Sequence, residues 1–261
     1  MLIDSPRLLN VDKTRWAELA RYDEAIGSRF PARLIEQALD DIRQWWQTGP
    51  GIASVSWGKD SVCMAHLVSL TGLPIPLVWV RSDPFEMPEC LQVRDAFLNS
   101  HPSMKYEERS IPLRNPKRGE PGYIERHLDP TCHGQDVLKE ACPHERYISG
   151  VRAQESRIRT ISINHRGNVT KNTCRPLARW TAPQIFAYLD REHLPIHPAY
   201  AMSYGGHLDR QWLRVHPLCS YADTKTDMAR WEDDYYGDYI KDALELRRQW
   251  RANKDPRGGN F

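Results

Sequence analysis

The segment Ile52-Ala-Ser54-Val-Ser56-Trp57-Gly58-Lys59-Asp60-Ser61 constrains this chain more than any other stretch. A short β-rich run, a turn containing glycine and the start of an apolar helix follow one another with no spacer. A turn in that position aims backbone N–H groups at one point, and the N-terminus of the following helix adds partial positive charge. Gly58 lets a ligand approach the backbone, Lys59 can neutralise charge, and the Ser56 and Ser61 hydroxyls can donate to phosphate oxygens. The spacing is not that of the G-x-x-x-x-G-K-[ST] loop. Serine and aspartate are also ordinary helix caps, so a plain strand-to-helix connection is the competing reading.

The surrounding pattern predicts what this turn belongs to. Leu34, Ile35, Ala38, Leu39, Ile42, Trp45 and Trp46 have helical spacing, and Gly49-Pro50-Gly51 stops them. Ile75–Val80 and Tyr147–Val151 are apolar runs of the kind buried on both faces of a parallel sheet, and Glu89–Asn99 reads as a helix between them. Strands alternating with helices predict an α/β fold with a doubly wound, mainly parallel sheet. Thr181-Ala-Pro-Gln184 is a capping box that opens a further helix. Met228, Trp231, Tyr235, Tyr239, Ala243, Leu246 and Trp250 recur at three- and four-residue steps, which predicts one long amphipathic helix or a pair broken near Gly237, with the stripe as core. Residues 1–30 have weak periodicity and read as an N-terminal arm or cap. Residues 31–200 form the expected main domain, in which the polar stretch 109–144 is an inserted loop region. Residues 201–261 read as a helical C-terminal extension.

Composition narrows the class. The 36 Lys+Arg against 34 Asp+Glu leave a net charge of +2, which disfavours a polybasic protein, and 10 % aromatic residues disfavour disorder. The longest apolar stretch, Leu73–Val80, is broken by Pro74 and Pro76, so no bilayer span is expected. The start shows no basic region ahead of an apolar run, and six cysteines without a close pair do not form a secreted framework, so a cytoplasmic location is expected. The charge is uneven along the chain. Between Arg146 and Trp180 eight basic residues (Arg146, Arg152, Arg157, Arg159, Arg166, Lys171, Arg175, Arg179) stand against Glu155 alone. Between Asp223 and Glu245 eight acids stand against three bases, most simply a solvated helix face.

Four motifs, in order, carry a resemblance covering roughly residues 30–200. Ser56-Trp57-Gly58-Lys59-Asp60-Ser61 resembles the S-G-G-x-D-S pyrophosphate loop of the N-type ATP pyrophosphatases, with Trp57 in place of the first glycine. Val78–Cys90 is similar to that family's D-T-x-x-E-x-P-E-T strand end, although Ser82 occupies the aspartate position, Asp83 comes one residue late and Cys90 stands at the second threonine. Gly150-Val-Arg152-Ala-Gln-Glu155-Ser156-Arg157-Ile-Arg159 is similar to the G-x-R-x-x-[EQ]-S-x-x-R element of the phosphoadenosine phosphosulfate reductase-like branch. Pro176-Leu-Ala-Arg-Trp180-Thr181 through Tyr188 resembles that branch's P-[LI]-x-x-W-[ST]…Y helix start.

The resemblance implies an adenine nucleotide α-hydrolase-like fold and ATP, with Mg²⁺, cleaved between its α and β phosphates. It places the nucleotide at Ser54, Ser56, Trp57, Gly58, Lys59, Asp60 and Ser61, with Asp60 also near the metal, and at Gly150 and Arg152. Asp83 becomes a candidate ribose or metal contact. Lys59, Asp60, Arg152, Arg157 and Arg159 become the candidate catalytic groups, the arginines as forks for phosphate; surface pairing with Glu155 or Glu145 is their other reading. The branch of closest resemblance is the ATP pyrophosphatase component of bacterial DNA phosphorothioation systems. It implies DNA as partner, met by the basic stretch and by His165, Arg166, Asn168, Lys171 and Asn172, with a cysteine desulfurase or other sulfur donor. A homodimer is open to it, and no membrane is involved.

Two alternatives stand beside this one. A reductase of phosphoadenosine phosphosulfate normally carries a C-terminal E-C-G-[IL]-H thiol, whereas here no cysteine follows Cys219 and the loop keeps Asp60-Ser61. A non-catalytic adaptor would result if Trp57 had spoiled the loop. Cys132, Cys142, Cys174 and Cys219 are candidate iron–sulfur ligands by the same resemblance. Cys142 or Cys174 could instead relay sulfur as a persulfide if a neighbouring Arg or His lowered its pKa, or all could be plain thiols. Cys63, on the helix after the turn, reads as a small buried hydrophobe.

Overall fold

The computed structural model describes residues 1–81, 86–110, 146–218 and 227–254. In chain order the helices are α1 (Asn10–Gly27), α2 (Ala32–Gln47), α3 (Lys59–Leu70), α4 (Glu89–Ser100), α5 (Arg157–Arg166), α6 (Ala182–Arg191) and α7 (Asp227–Lys254). The strands are β1 (Ile52–Val55), β2 (Leu77–Arg81), β3 (Tyr106–Ser110), β4 (Tyr147–Ile148) and β5 (Thr173–Cys174). All five are parallel neighbours in the order β3-β2-β1-β4-β5. Ala53 lies opposite Leu77 on one side and Ile148 on the other.

The chain therefore winds outward from β1 through β2 to β3, then returns to the other side of β1 at β4. The strand order reverses between β1 and β4, and the crevice outside the carboxyl ends of strands at such a reversal is where open α/β sheets hold ligands. The turn after β1 and the loop after β4 both open there.

One face of the sheet carries most of the core. Ala53, Val55, Leu77 and Trp79 pack with Ala38, Ile42 and Trp45 of α2, with α3, and with Ile185 and Tyr188 of α6. On the other face Ile52 and Val78 form a smaller cluster with half-buried Val80 and Tyr147. The alternation of these residues between two covered faces explains why β1 and β2 read as continuous apolar runs.

Three elements add to the sequence expectation or settle what it left open. Of the arm or cap expected at residues 1–30, the packing is that of a cap: α1 lies against α6, with Trp16 edge-on to Phe186 at 6.1 Å, and Ile3 pairs its backbone with Ile196. Its buried positions include Asp12, Asp23 and Gly27, so its inward face is polar or small and gives no apolar periodicity. β3 escaped notice because Tyr106-Glu-Glu-Arg-Ser is a charged edge strand, the composition by which edges resist further pairing. α7 is one helix, not a broken pair. Trp231, Tyr235, Tyr236 and Ile240 are buried along it, which offsets the cost of about 1 kcal/mol that Gly237 brings to a helix interior. Ala243, Leu246 and Trp250 fall beyond the side chains described, and residues 111–144 of the expected insertion lie outside the described residues.

Candidate functional site

The turn after β1 is built from conflicts that its neighbours resolve. Trp57 has a left-handed backbone, φ 58°, which turns the chain sharply out of the strand. Its indole is fully buried against Trp79 of β2, Phe97 of α4 and Tyr106 of β3, with ring centroids 5.7–6.4 Å away. Gly58 then caps α3. A Cβ there would come within 2.9 Å of the Tyr200 hydroxyl and 3.4 Å of the Val215 Cβ, so only glycine fits. The Ser61 hydroxyl donates to the Gly58 carbonyl (3.0 Å) and accepts from the Ser56 N–H (3.2 Å), which closes the turn on itself. Ser54 precedes it within β1, opposite Val78.

A charged cluster lies at the mouth of this turn. Lys59 Nζ donates to Asp60 Oδ2 at 2.9 Å, and Arg152 Nε donates to Asp60 Oδ1 at 2.6 Å. Lys59 and Arg152 are only 3 % and 2 % exposed. Burial alone would push the Lys59 ammonium down, but Tyr200 and the Asp60 carboxylate hold it above its ordinary value, so it stays charged. One carboxylate thus serves two buried cations at the N-terminus of a helix, leaving a net positive charge aimed at the crevice.

The loop after β4 brings Arg152 into place. A Cβ on Gly150 would meet the Asp60 carbonyl at 2.9 Å, so glycine is what lets this loop reach the start of α3. The Arg152 guanidinium also donates to Gln154 Oε1 at 3.1 Å and the Trp180 carbonyl at 3.4 Å. Gln154 Oε1 in turn accepts from the Ala182 N–H at the start of α6 (2.8 Å), a helix whose Thr181–Gln184 capping box is formed. Glu155 accepts from the Arg152 N–H at 3.2 Å and pairs with Arg159.

The sequence candidates therefore divide. Ser56, Gly58, Lys59, Asp60, Ser61, Gly150 and Arg152 come together at the crevice, with Trp57 beneath them. Arg159 is taken up by Glu155, and Arg157 is exposed at the first turn of α5. Asp83, Cys132, Cys142 and Cys219 lie outside the described residues. Cys174 is buried in β5 and burial pushes its thiol up, as it does those of Cys63 and Cys90, the reverse of the lowered pKa that a sulfur relay needs. Each Asp60 oxygen already accepts one bond from a cation, so Asp60 could hold a Mg²⁺ only through its remaining lone pairs, beside Lys59 and Arg152. Among the described residues no three His, Cys, Asp or Glu side chains gather to hold a metal.

Three contributors escaped the sequence reading. Tyr200 places its hydroxyl 3.0 Å from the Lys59 N–H and its ring 4.9 Å from Lys59 Nζ, across 141 residues of chain. Trp212 and Arg214 line the same cleft as Lys59, Arg152 and Gln154. The Pro198–Tyr200 turn and the 209–214 segment have no periodicity that would mark them.

Comparison with known proteins places the chain in a family. A family profile described as "Phosphoadenosine phosphosulfate reductase domain" matches residues 51–206, from β1 past the Tyr200 turn. The phosphoadenosine 5'-phosphosulfate reductase of Gloeobacter violaceus is 26 % identical over 212 residues, covering 77 % of this chain and 82 % of that protein. The Synechococcus protein of the same name is 24 % identical over 188 residues, covering 66 % and 80 %. Among solved structures, the NMN synthetase of Francisella tularensis superposes with a TM-score of 0.43 at 12 % identity, covering 90 % of this chain and 98 % of that one. With more than half of its length matched, the chain belongs to the phosphoadenosine phosphosulfate reductase domain family.

Proposed function

We propose that this protein is an ATP pyrophosphatase that cleaves ATP to AMP and pyrophosphate, in the service of sulfur insertion into DNA. The observation that carries the nucleotide reading is the Lys59–Asp60–Arg152 cluster set at the N-terminus of α3, where the sheet's strand order reverses. In the reaction an acceptor oxygen attacks the α-phosphorus, the bond to the bridging oxygen breaks, and pyrophosphate leaves with the electron pair. The work of the protein is positioning and neutralisation of charge on the leaving group. Lys59 and Arg152 are held charged and nearly dry, so incoming phosphate oxygens meet them in competition with one carboxylate. The Ser61 hydroxyl keeps the turn in shape, and Gly58 keeps its mouth open to backbone approach. Mg²⁺ accompanies nucleotide phosphates in solution, and no step here runs through a metal held by the chain.

With DNA as acceptor, a non-bridging phosphate oxygen would be the attacking atom. A donor protein such as a cysteine desulfurase would supply the sulfur as a persulfide, a thiol reductant would take it to the sulfide level with formation of a disulfide, and the sulfide would then displace AMP. The exposed Arg157, Arg166, Lys171 and Arg179 support a DNA-facing side. Arg146 does not contribute to it: its guanidinium is spent on the Trp45, Gly49 and Lys171 carbonyls and lies over the Trp45 ring. Asn168 is likewise engaged, donating to Asp41 at 2.9 Å.

Reduction of a sulfonucleotide is the second reading, favoured by the names of the two relatives. It needs a reactive thiol, and the described cysteines, Cys63, Cys90 and Cys174, are buried with their thiols pushed up. The deciding experiment supplies the full chain with Mg²⁺ and either ATP, with and without DNA and sulfide, or phosphoadenosine phosphosulfate with a dithiol. Pyrophosphate release from ATP, lowered at least about 100-fold by Asp60→Ala, is expected. Sulfite release without pyrophosphate release would establish the reductase, and turnover of neither would remove both.

A further inference from the structure

We propose that Trp212 is a stacking platform for a nucleobase in the cleft beside the phosphate-binding turn. The inference rests on the nucleotide reading above and adds the recognition of a ring. Trp212 is 58 % exposed and is the only exposed tryptophan among those whose side chains are described. It lines one cleft together with Arg214, Lys59, Arg152 and Gln154.

The chain holds this indole out with unusual firmness. On one side, the Arg210 guanidinium makes two bonds to Asp23 of α1, at 2.6 and 2.5 Å, and lies 4.0 Å over the Phe186 ring. On the other side Leu213 is buried. Between them Asp209 accepts from both the N–H and the side-chain amide of Gln211, at 3.0 and 2.6 Å, and its carbonyl accepts the Trp212 N–H at 3.0 Å. The backbone is thus fixed before and after Trp212, while the ring itself stays in water.

A large flat apolar surface presented on a fixed turn gains free energy when another flat ring covers it. The charges beside it select which ring. Lys59, Arg152 and Arg214 are cations on the same cleft against one lining acid, Glu155, which is itself paired with Arg159, and a ligand that offers phosphate to cations and a planar π-face to an indole is a nucleotide. The base could belong to a mononucleotide or to a single-stranded nucleic acid, since both present the same face.

Calorimetric titration of the full chain with inorganic pyrophosphate, ATP and a single-stranded oligothymidylate separates the cases, using wild type, Trp212→Ala and Trp212→Phe. The expected result is about a tenfold loss of affinity in Trp212→Ala for a ligand that carries the base, with pyrophosphate affinity unchanged and Trp212→Phe near wild type. Loss confined to ATP assigns the platform to the mononucleotide, and loss confined to the oligonucleotide assigns it to the strand. Equal loss for all three ligands, or for none, overturns the platform while leaving the nucleotide reading intact. A wild-type chain that binds neither pyrophosphate nor ATP overturns both.

Discussion

Trp57 holds a left-handed backbone on a bulky side chain, a conformation that costs on the order of 1–3 kcal/mol unless its surroundings enforce it. Here the enforcement is packing, because the indole fills the space between β2, β3 and α4. Trp57→Gly is therefore expected to destabilise the protein by about 3 kcal/mol in urea unfolding, even though glycine suits the φ angle and is the residue that resembling loops carry. Equal or greater stability in the glycine variant would refute the packing account. This also bears on the adaptor reading, since the substituted side chain goes into the core and does not obstruct the crevice. Asp60 sets a second test: Asp60→Asn removes the only negative charge between Lys59 and Arg152 and should cost about 3 kcal/mol, because two buried cations then face each other. Thermal unfolding that is unchanged would show the cluster to be more solvated than its geometry indicates. The half of the site that lies on one continuous segment was legible in the sequence, because Ser, Gly, Lys and Asp there have few structural uses in that order. Tyr200 and Gln154 were not, since their roles exist only once distant loops meet.

At the scale of elements, apolar spacing foretold α2, α3 and α6, whose buried stripes are leucine, isoleucine, alanine and aromatics. It failed for α1, whose anchoring is polar. Asp12 accepts from the Ser203 N–H (3.1 Å), the Gly205 N–H (2.8 Å) and the Tyr235 hydroxyl (2.8 Å), tying α1, the 203–205 turn and α7 together with one carboxylate. Removing it leaves three donors without their acceptor in a buried place. Asp12→Ala is accordingly expected to lower stability by about 3 kcal/mol, against less than 0.5 kcal/mol for Asp40→Ala on the exposed face of α2. Comparable urea midpoints for the two variants would show that α1 is peripheral after all. The same reasoning explains β3, whose glutamates suit an edge and disguise a strand that pairs along its whole length with β2.

For the molecule as a whole, charge and burial combine into a dependence on pH. The basic stretch that stood out along the chain does not act as one surface, since Arg146 is consumed by the fold, Arg159 by Glu155, and Arg152 faces the crevice with Lys59. Folding is coupled to pH chiefly through two buried histidines that no motif singles out. His66 bonds the Tyr188 hydroxyl at 2.8 Å, and burial, with His101 nearby, pushes its pKa down to about 4. His197 is fully buried, accepts the Ala199 N–H at 3.1 Å, and burial, with His216 nearby, pushes it down to about 3. Both are neutral in the folded chain and have an ordinary value of 6.5 when unfolded. Below pH 6.5 the unfolded chain takes up protons that the folded chain refuses, so stability is complete above that value and declines as pH falls toward 4. Asp23, raised by burial, works in the opposite direction, the N-terminal ammonium, lowered by burial, works with the histidines from pH 8 downward, and Glu108, held below its usual range despite burial by Arg81, Tyr106 and Arg94, acts only below about pH 4.5. Over the interval from pH 7 to pH 5 the histidines contribute on the order of 1–2 kcal/mol each. Urea unfolding at pH 7 and pH 5 should show a lower midpoint at pH 5, and His66→Gln, which can still bond Tyr188, should reduce that difference by about half. A variant that keeps the full difference would remove His66 from the account, and a wild type with equal midpoints would show that neither histidine is kept neutral by the fold.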